Sequence, residues 1–161
     1  MQKITPFLWF NGNAEEAAIF YTSVFPNAKI DSITRYPEGG PAPAGSVLTV
    51  AFSINGQQFV GLNGGPEFPF TEAVSFVVNC ESQEEVDASW EQLLEGGTPS
   101  HCGWLKDRFG LSWQVVPTGL VKMLQDKDPE KTKRVMAAMM GMTKIDLNVL
   151  EEAYAAEGET V

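Results

Sequence analysis

Residues 13–17 read Asn-Ala-Glu-Glu-Ala, and residues 82–86, which lie 69 positions later, read Ser-Gln-Glu-Glu-Val. Each stretch sets a residue that can cap a helix three places before a glutamate, so that both side chains can satisfy free backbone N–H groups. Apolar residues then recur at helical spacing until Pro26-Asn27 in the first case and Gly96-Gly97 in the second. The sequence therefore predicts two equivalent helices within an internal repeat.

Short stretches rich in β-branched and aromatic residues flank both predicted helices. The strand before each helix aligns at the same offset of 69, which matches Phe7 with Phe76. Asn55-Gly56 predicts a hairpin, and Asp107–Gly110 predicts a turn in which the aspartate bonds the following backbone. Strands are expected at residues 4–10, 28–36, 47–54 and 58–62, and again at 73–79, about 100–106 and 112–116. The first half thus has the order βαβββ, and the second half is a shorter version of it.

These patterns predict a single domain of two modules followed by a helical extension. The first module is expected at about residues 1–64, the second at about 73–117, and the extension at about 118–157. Four of the six methionines fall between residues 136 and 142. They are open to two interpretations, a helix face packed inside the chain or an adaptable interface with a partner subunit.

Composition excludes several classes of function. The chain has 161 residues, 43% of them hydrophobic, with 11 basic against 21 acidic side chains and a net charge of −10. This balance repels nucleic-acid phosphates and anionic membrane surfaces, and no apolar run reaches the roughly 20 residues of a membrane span. We expect a cytoplasmic protein with no nucleic-acid or membrane partner, in which Cys80 and Cys102 are both reduced.

Three stretches carry a resemblance to a known family: Thr-Pro-Phe-Leu-Trp-Phe at residues 5–10, Ala-Glu-Glu-Ala at 14–17, and Cys-Gly-Trp-Leu-Lys-Asp-Arg-Phe-Gly-Leu-Ser-Trp-Gln at 102–114. The chain resembles the PhnB-like family, often labelled 3-demethylubiquinone-9 3-methyltransferase, of the glyoxalase/bleomycin-resistance or vicinal oxygen chelate superfamily. The resemblance implies an α+β fold in which tandem βαβββ modules each curl a sheet around a cleft. It also implies a homodimer and a small-molecule ligand.

The resemblance further implies where metal-dependent members of the superfamily hold their ion, with one ligand from the first and one from the last strand of each module. Those positions are about Pro6, Val60, Ser75 and Gln114, and only Gln114 has a side-chain oxygen that commonly serves as a metal ligand. We therefore expect no metal and no other cofactor. The Gly-rich run at residues 61–66 is interpreted as a module linker, so the family's methyltransferase label is not expected to describe the activity.

The predicted hairpin of the second module assigns its side chains to faces. Pairing Trp104 with Gln114 places both on one side of the sheet. Lys106 and Ser112 fall on that same side, and strand alternation adds Ser75. An aromatic wall with a few placed polar groups suits a ligand pocket. The predicted ligand-binding residues are these five together with Arg35 of module one, which is either a surface charge or an anion clamp: Arg35, Ser75, Trp104, Lys106, Ser112 and Gln114.

No catalytic residue emerges from the sequence, because no nucleophile–base pair or carboxylate pair can be assembled. His101 and Cys102 are neighbours on a predicted strand and would point to opposite faces. Two classes of function stay open. The favoured one is metal-independent binding of a small apolar or aromatic molecule in the cleft, and the alternative is an enzyme of the superfamily of the lyase, isomerase or transferase type.

Overall fold

The computed structural model describes residues 2–156, so the predicted end of the extension at residue 157 lies outside the described residues. The chain divides into two compact units, Met1–Phe70 and Thr71–Val161. The first unit contains β1 (Phe7–Phe10), α1 (Ala14–Val24), β2 (Ala28–Arg35), β3 (Val47–Ile54) and β4 (Gln57–Asn63). The second contains β5 (Ser75–Cys80), α2 (Gln83–Leu94), β6 (Thr98–Pro99), β7 (Trp104–Lys106), β8 (Ser112–Pro117), α3 (Thr118–Leu124), α4 (Pro129–Met140) and α5 (Leu147–Ala155).

Each unit builds a four-stranded mixed sheet with the same topology. The strand order is β1-β4-β3-β2 in the first and β5-β8-β7-β6 in the second. In both units the first strand runs parallel to the last, and the other neighbours are antiparallel. The predicted α+β fold of tandem βαβββ modules with a C-terminal helical part is confirmed. Among the described residues, no helix is both long and apolar enough to cross a membrane.

One face of each sheet is closed by the helix of its own unit. Helix α1 buries small residues and two aromatic side chains, and Tyr21 approaches Phe52 of β3 with 5.9 Å between ring centroids. Phe52 in turn stacks on Phe59 at 5.5 Å. Helix α2 buries Val86, Trp90 and Leu93. Close packing of apolar side chains against a half-buried sheet supplies the main stabilising term of each unit.

The two repeats differ by one residue where the first strand meets the helix. Three residues separate Phe10 from Ala14, whereas two separate Cys80 from Gln83. Gly12 takes up the extra residue with a φ of +84°, a conformation that glycine adopts without strain. The helices therefore correspond at an offset of 69, but the strands before them correspond at 70.

The predicted match between Phe7 and Phe76 is wrong for this reason. Phe7 is 61% exposed on the side of its strand that faces away from α1, and Val77 is 46% exposed on the equivalent side of β5. Phe76 instead contacts the buried Trp113 with 5.6 Å between ring centroids. Because side chains alternate along a strand, an offset error of one residue exchanges the two faces.

The two helices are also capped differently. Ser82 caps α2 as predicted, since its side chain accepts a hydrogen bond from the Glu85 N–H. The predicted cap at Asn13 is wrong, because its side chain makes no such bond to the start of α1. The Ala14 N–H donates instead to Asn63 Oδ1 at the end of β4, over 2.9 Å. A residue 49 positions away thus provides the hydrogen-bond acceptor for the first backbone N–H of α1.

The helical extension folds onto the second unit around its own small core of Leu120, Val135, Ile145 and Leu150. Gln83 anchors it to α2, because its amide donates to Ile145 O and accepts from the Leu147 N–H. The methionines divide between the two interpretations of the sequence. Two of them, Met139 and Met142, pack against this core, whereas Met136 and Met140 are exposed.

The strand predicted from about residue 100 begins only at Trp104. Cys102 has a φ of +58°, which is incompatible with a strand, and the preceding residues form a turn. The N–H groups of Cys102 and Gly103 donate to Met142 O and Thr143 O, and Gly103 O accepts from the Val115 N–H of β8, so the turn joins the extension to the sheet. His101 lies exposed in this turn.

Candidate functional site

One face of the second sheet brings together five of the six residues predicted to bind a ligand. Trp104 pairs with Gln114 and Lys106 with Ser112, in the register that the sequence predicted. Ser75 pairs with Ser112 from the parallel neighbour β5 and therefore shares their side. The opposite face carries the buried Leu105, Trp113 and Val115, against which α2 packs. We name the first side the Ser75 face: Ser75, Trp104, Lys106, Ser112 and Gln114.

Ser75 and Gln114 form a polar pair at the centre of this face. Gln114 Nε2 donates a 3.0 Å hydrogen bond to Ser75 Oγ. Because the hydroxyl accepts this bond, its own proton remains available, and the Gln114 amide retains a carbonyl acceptor. The indole of Trp104 lies directly across the strand pair from Gln114. The pair can therefore donate to and accept from a molecule that stacks on Trp104.

Ser112 carries a polar atom without a partner. The residue is 1% exposed, and within residues 2–156 its Oγ is buried with no hydrogen-bond partner. A buried hydroxyl in that state costs about 1–3 kcal/mol relative to a satisfied one. Unpaired buried groups of this kind often mark a place where a ligand or water supplies the missing bond.

Lys106 forms an ion pair with Glu72, a residue of the segment before β5. The lysine lowers the pKa of the exposed Glu72 carboxyl by donating a hydrogen bond to it. Sequence reasoning missed Glu72, because nothing in the local pattern fixes where this segment turns. The consequence is that Lys106 contributes an already compensated charge to the Ser75 face rather than a free cation.

Asp107 holds the β7–β8 hairpin that carries four members of the face. Its Oδ1 accepts from the N–H groups of Phe109 and Leu111, at 2.8 and 3.1 Å, and its Oδ2 accepts from Trp113 Nε1. The residue is only 3% exposed. The predicted turn is therefore confirmed, and its aspartate has a structural role, because it fixes the hairpin from the core side.

Arg35 lies in the first unit and has a local partner. Its Nη1 donates over 3.0 Å to the carbonyl oxygen of Gly45 and so braces the loop between β2 and β3. The Tyr36 N–H donates to Ser46 O and the Gly45 N–H to Tyr36 O across the same loop. This arrangement agrees with a surface residue that shapes a loop, and an anion clamp at Arg35 stays a prediction.

The comparisons with known proteins give the family. A family model described as 3-demethylubiquinone-9 3-methyltransferase matches residues 2–116, well over half of the chain. The chain belongs to this family. The PhnB-like resemblance is confirmed as well, because a solved "putative 3-demethylubiquinone-9 3-methyltransferase, PhnB protein" from Bacillus cereus is 41% identical. That match covers 72% of this chain and 99% of the other, with a TM-score of 0.66.

More distant structures share the fold of this 3-demethylubiquinone-9 3-methyltransferase family member. Protein PA1353 from Pseudomonas aeruginosa is 23% identical over 73% of this chain and 98% of its own, with a TM-score of 0.60. The fosfomycin resistance protein FosX from Listeria monocytogenes is 15% identical over 73% and 93%, with a TM-score of 0.50. Both likenesses concern the fold alone. No curated protein matches the chain.

The four strand positions that the superfamily resemblance assigns to metal ligands do not fit a divalent ion in this family member. Ser75 and Gln114 offer neutral oxygens, and they already bond each other. Pro6 and Val60, in the first unit, have no ligating side chain, although their backbones join through a hydrogen bond from Val60 N to Pro6 O. No group of three or more His, Cys, Asp or Glu residues able to hold a metal ion occurs among the described residues. Divalent cations need several charged or imidazole ligands together.

The Gly-rich run of this family member does not lead into a helix. Gly61 and Leu62 are part of β4, and residues 64–74 after them form turns and irregular chain up to β5. Phosphate and nucleotide cradles of doubly wound folds place such a run between a strand and a helix N-terminus. The geometry therefore agrees with the module linker that the sequence predicted.

The two cysteines are free thiols in different surroundings. Burial raises the pKa of the Cys80 thiol, and the nearby Glu85 and Glu81 carboxylates raise it further, against a hydrogen bond with Ser89 that lowers it. Burial is the largest of these causes. A thiol held protonated in this way is a poor nucleophile.

Proposed function

We propose that this protein binds a small apolar or aromatic molecule on the Ser75 face without a metal ion. The observation that carries the proposal is the hydrogen-bonded Ser75–Gln114 pair beside the Trp104 indole. Small-molecule sites combine an aromatic wall with a few polar groups that fix orientation. The Ser75 face offers this combination on rigid strands rather than on loops.

The same contacts favour a ligand with a neutral polar group. Lys106 is compensated by Glu72, so the face offers no uncompensated positive charge from that residue. Ser75 offers a hydroxyl proton, and Gln114 offers a carbonyl acceptor. A hydroxyl group attached to an aromatic ring meets both requirements, because it can donate to the Gln114 carbonyl and accept from the Ser75 hydroxyl.

An aromatic alcohol such as 2-naphthol is a direct probe of this proposal. Titration with NMR detection should shift the amide signals of Ser75, Trp104 and Gln114. The substitution Gln114→Leu approximately preserves side-chain volume but removes the polar pair, and it should weaken binding about tenfold. Gln57→Leu is the matched control, because Gln57 is an exposed glutamine of the first unit. Equal affinity of the Gln114 variant and the wild type would refute the proposal.

The alternative function is an enzyme of the superfamily, and the description of the matching family names methyl transfer. Methyl transfer requires S-adenosylmethionine, for which the Gly-rich run supplies no strand–helix cradle. Calorimetric titration with S-adenosylmethionine should therefore give no binding heat. A dissociation constant in the micromolar range would instead support the transferase.

We further propose a homodimer in which part of residues 119–155 lies at the interface. Two methionines one turn apart on α4, Met136 and Met140, are 44% and 62% exposed. Val121 of α3 and Val149 of α5 are also exposed. Exposed apolar side chains on neighbouring helices of one unit favour association, and a second copy offers the same patch across a two-fold axis.

A further inference from the structure

A cavity of about 480 Å³ opens in the first unit, where β1 and β4 end side by side and α1 begins. Its volume lies within the range of small-molecule sites. All of its lining residues belong to the first unit, whereas all residues of the Ser75 face belong to the second. Its lining comes from the start of α1, the loop before β3 and the end of β4: Asn11, Gly12, Glu15, Tyr36, Pro41, Ala42, Ser46, Val47, Asn63, Gly64 and Gly65.

Hydrogen bonds fix the walls of this cavity. Asn63, at the end of β4, is bonded to the two other walls: its Oδ1 accepts from the Ala14 N–H at the start of α1, and its Nδ2 donates to Val47 O at the start of β3. Tyr36 Oη donates over 2.9 Å to Asn63 O and so holds its ring at the cavity. Gly64 N donates to Phe10 O at the floor. A site whose walls are already fixed loses little conformational entropy when a ligand enters.

The side-chain charge at the cavity is negative. Glu15 lines it and is partly buried, and its carboxylate forms no hydrogen bond or ion pair with any residue from 2 to 156. A second carboxylate lies beside the lining residue Gly65, since a β-carbon there would lie 2.6 Å from Glu67 Oε2. None of the described lining residues is basic.

The remaining lining determines what kind of cation fits. Tyr36, Pro41 and Val47 present an aromatic ring and aliphatic surface. A bare metal ion would leave most of the volume empty and would find too few ligands. A cation attached to an apolar body can place its charge at the carboxylate and its body against the ring, which also attracts cations through its π face.

The geometry points to a binding site for a small organic cation, a protonated amine with an apolar or aromatic body, held by Glu15 and Tyr36. The start of α1 opposes this cation, because a helix N-terminus carries a partial positive charge of about half a unit. Asn63 already accepts the Ala14 N–H there, and the full charge of the Glu15 carboxylate exceeds the opposing partial charge.

Benzylamine, which is protonated at neutral pH, is the probe, with benzyl alcohol and benzoate as neutral and anionic compounds of similar size. In an NMR titration of the full chain, benzylamine should shift the amide signals of Gly12, Gly64 and Gly65. Glu15→Gln should weaken its binding about tenfold. Glu84→Gln is the matched control, because Glu84 holds the same position on α2, is exposed, and changes the net charge equally.

A second pair of variants tests the cavity itself. Ala42→Phe would fill it and should abolish benzylamine binding, whereas Ala44→Phe alters an exposed residue of the same loop outside the lining and should leave binding unchanged. Equal binding of benzyl alcohol, or an equal loss of affinity in the Glu15 and Glu84 variants, would overturn the inference. Shifts confined to the Ser75 face would also overturn it, while leaving the proposed function intact.

Discussion

The indole nitrogen of Trp113 donates a 2.9 Å hydrogen bond to Oδ2 of Asp107, six positions earlier in the chain. Both residues are buried, and the second oxygen of the same carboxylate closes the turn between β7 and β8. The hairpin that carries Trp104, Lys106 and Gln114 is thus fixed by a carboxylate on the opposite side of the sheet. The arrangement of side chains on the proposed binding face therefore depends on Asp107, a residue that does not belong to that face.

Asp107→Asn should destabilise the protein. The amide keeps the shape of the side chain but replaces one acceptor oxygen by a donor that faces other donors. We expect the free energy of unfolding to fall by about 2–3 kcal/mol, as measured by urea denaturation. Asp128→Asn should change it by less than about 0.5 kcal/mol, because Asp128 is an exposed helix cap and asparagine caps equally well. Equal effects of the two substitutions would contradict this role of Asp107.

The exposed methionines of α4 provide the test of the homodimer. We expect light scattering on the full chain to give twice the monomer mass of 17.6 kDa at micromolar concentration. The double substitution Met136→Gln and Met140→Gln removes apolar surface that drives association and should raise the dimer dissociation constant at least tenfold. Lys133→Gln with Ala137→Gln, two exposed positions on the same helix, is the control. A wild-type mass of one chain would exclude the dimer.

The hydrogen bond from Tyr154 to Asp126 should make stability depend on pH at both extremes. It lowers the pKa of the Asp126 carboxyl and raises the pKa of the Tyr154 phenol. Because the pKa of Asp126 is lowered in the folded state, this carboxylate stabilises the fold above about pH 4, and the effect is lost as the pH falls through the folded-state pKa. Because the pKa of Tyr154 is raised in the folded state, the phenol stabilises the fold below about pH 10, and this effect is lost as the pH rises through its folded-state pKa.

The stability difference between wild type and Tyr154→Phe should therefore be constant from about pH 5 to 9 and should shrink on either side. Denaturation midpoints measured across this range provide the check. Tyr36→Phe is the control, because Tyr36 donates to a backbone carbonyl and not to a carboxylate. Its stability difference should not shrink as the pH falls below about 4. A Tyr154→Phe difference that is independent of pH would contradict the coupling.

The two thiols should react at different rates. Cys80 is 1% exposed and its pKa is raised by burial, whereas Cys102 lies partly exposed in a turn. A disulfide reagent at about pH 7 should therefore modify one thiol per chain rapidly, and peptide mass spectrometry should locate the label on Cys102. Cys102→Ser should leave only the slow reaction. Two fast thiols of equal rate would show that Cys80 is accessible.

The sequence predicted the order of the helices and of every strand except β6, and the register of the second hairpin, because turn residues and alternation are local signals. Asp107 and the strand pattern around Trp104 and Gln114 were sufficient for this. The predicted equivalence of Phe7 and Phe76 was wrong, because it used the offset of 69 that aligns the two helices. The extra residue at Gly12 lies between strand and helix, so the strands correspond at a different offset. Contacts between separate segments, such as Glu72 with Lys106, leave no local pattern at all.

The candidate sites were accessible to prediction to different degrees. The Ser75 face follows from strand alternation and was predicted in its composition. The cavity beside Glu15 was not, because it requires Asn63, Tyr36 and the loop before β3 to meet. The loop carries only a composition typical of flexible segments, and its fixed conformation depends on Tyr36 and Arg35 bonding back to its ends.

The different origin of the two helix caps has a consequence for the order of folding. Ser82 lies three residues from the N–H that it caps, so the first turn of α2 can form within a local segment. The side-chain cap of α1 comes from Asn63, and this hydrogen bond can form only after β4 has docked. Ser82→Ala should therefore slow refolding, whereas Asn63→Ala should mainly accelerate unfolding, as stopped-flow kinetics can measure. Two copies of one βαβββ pattern would then acquire their structure in sequence, with the second half of the chain leading the first.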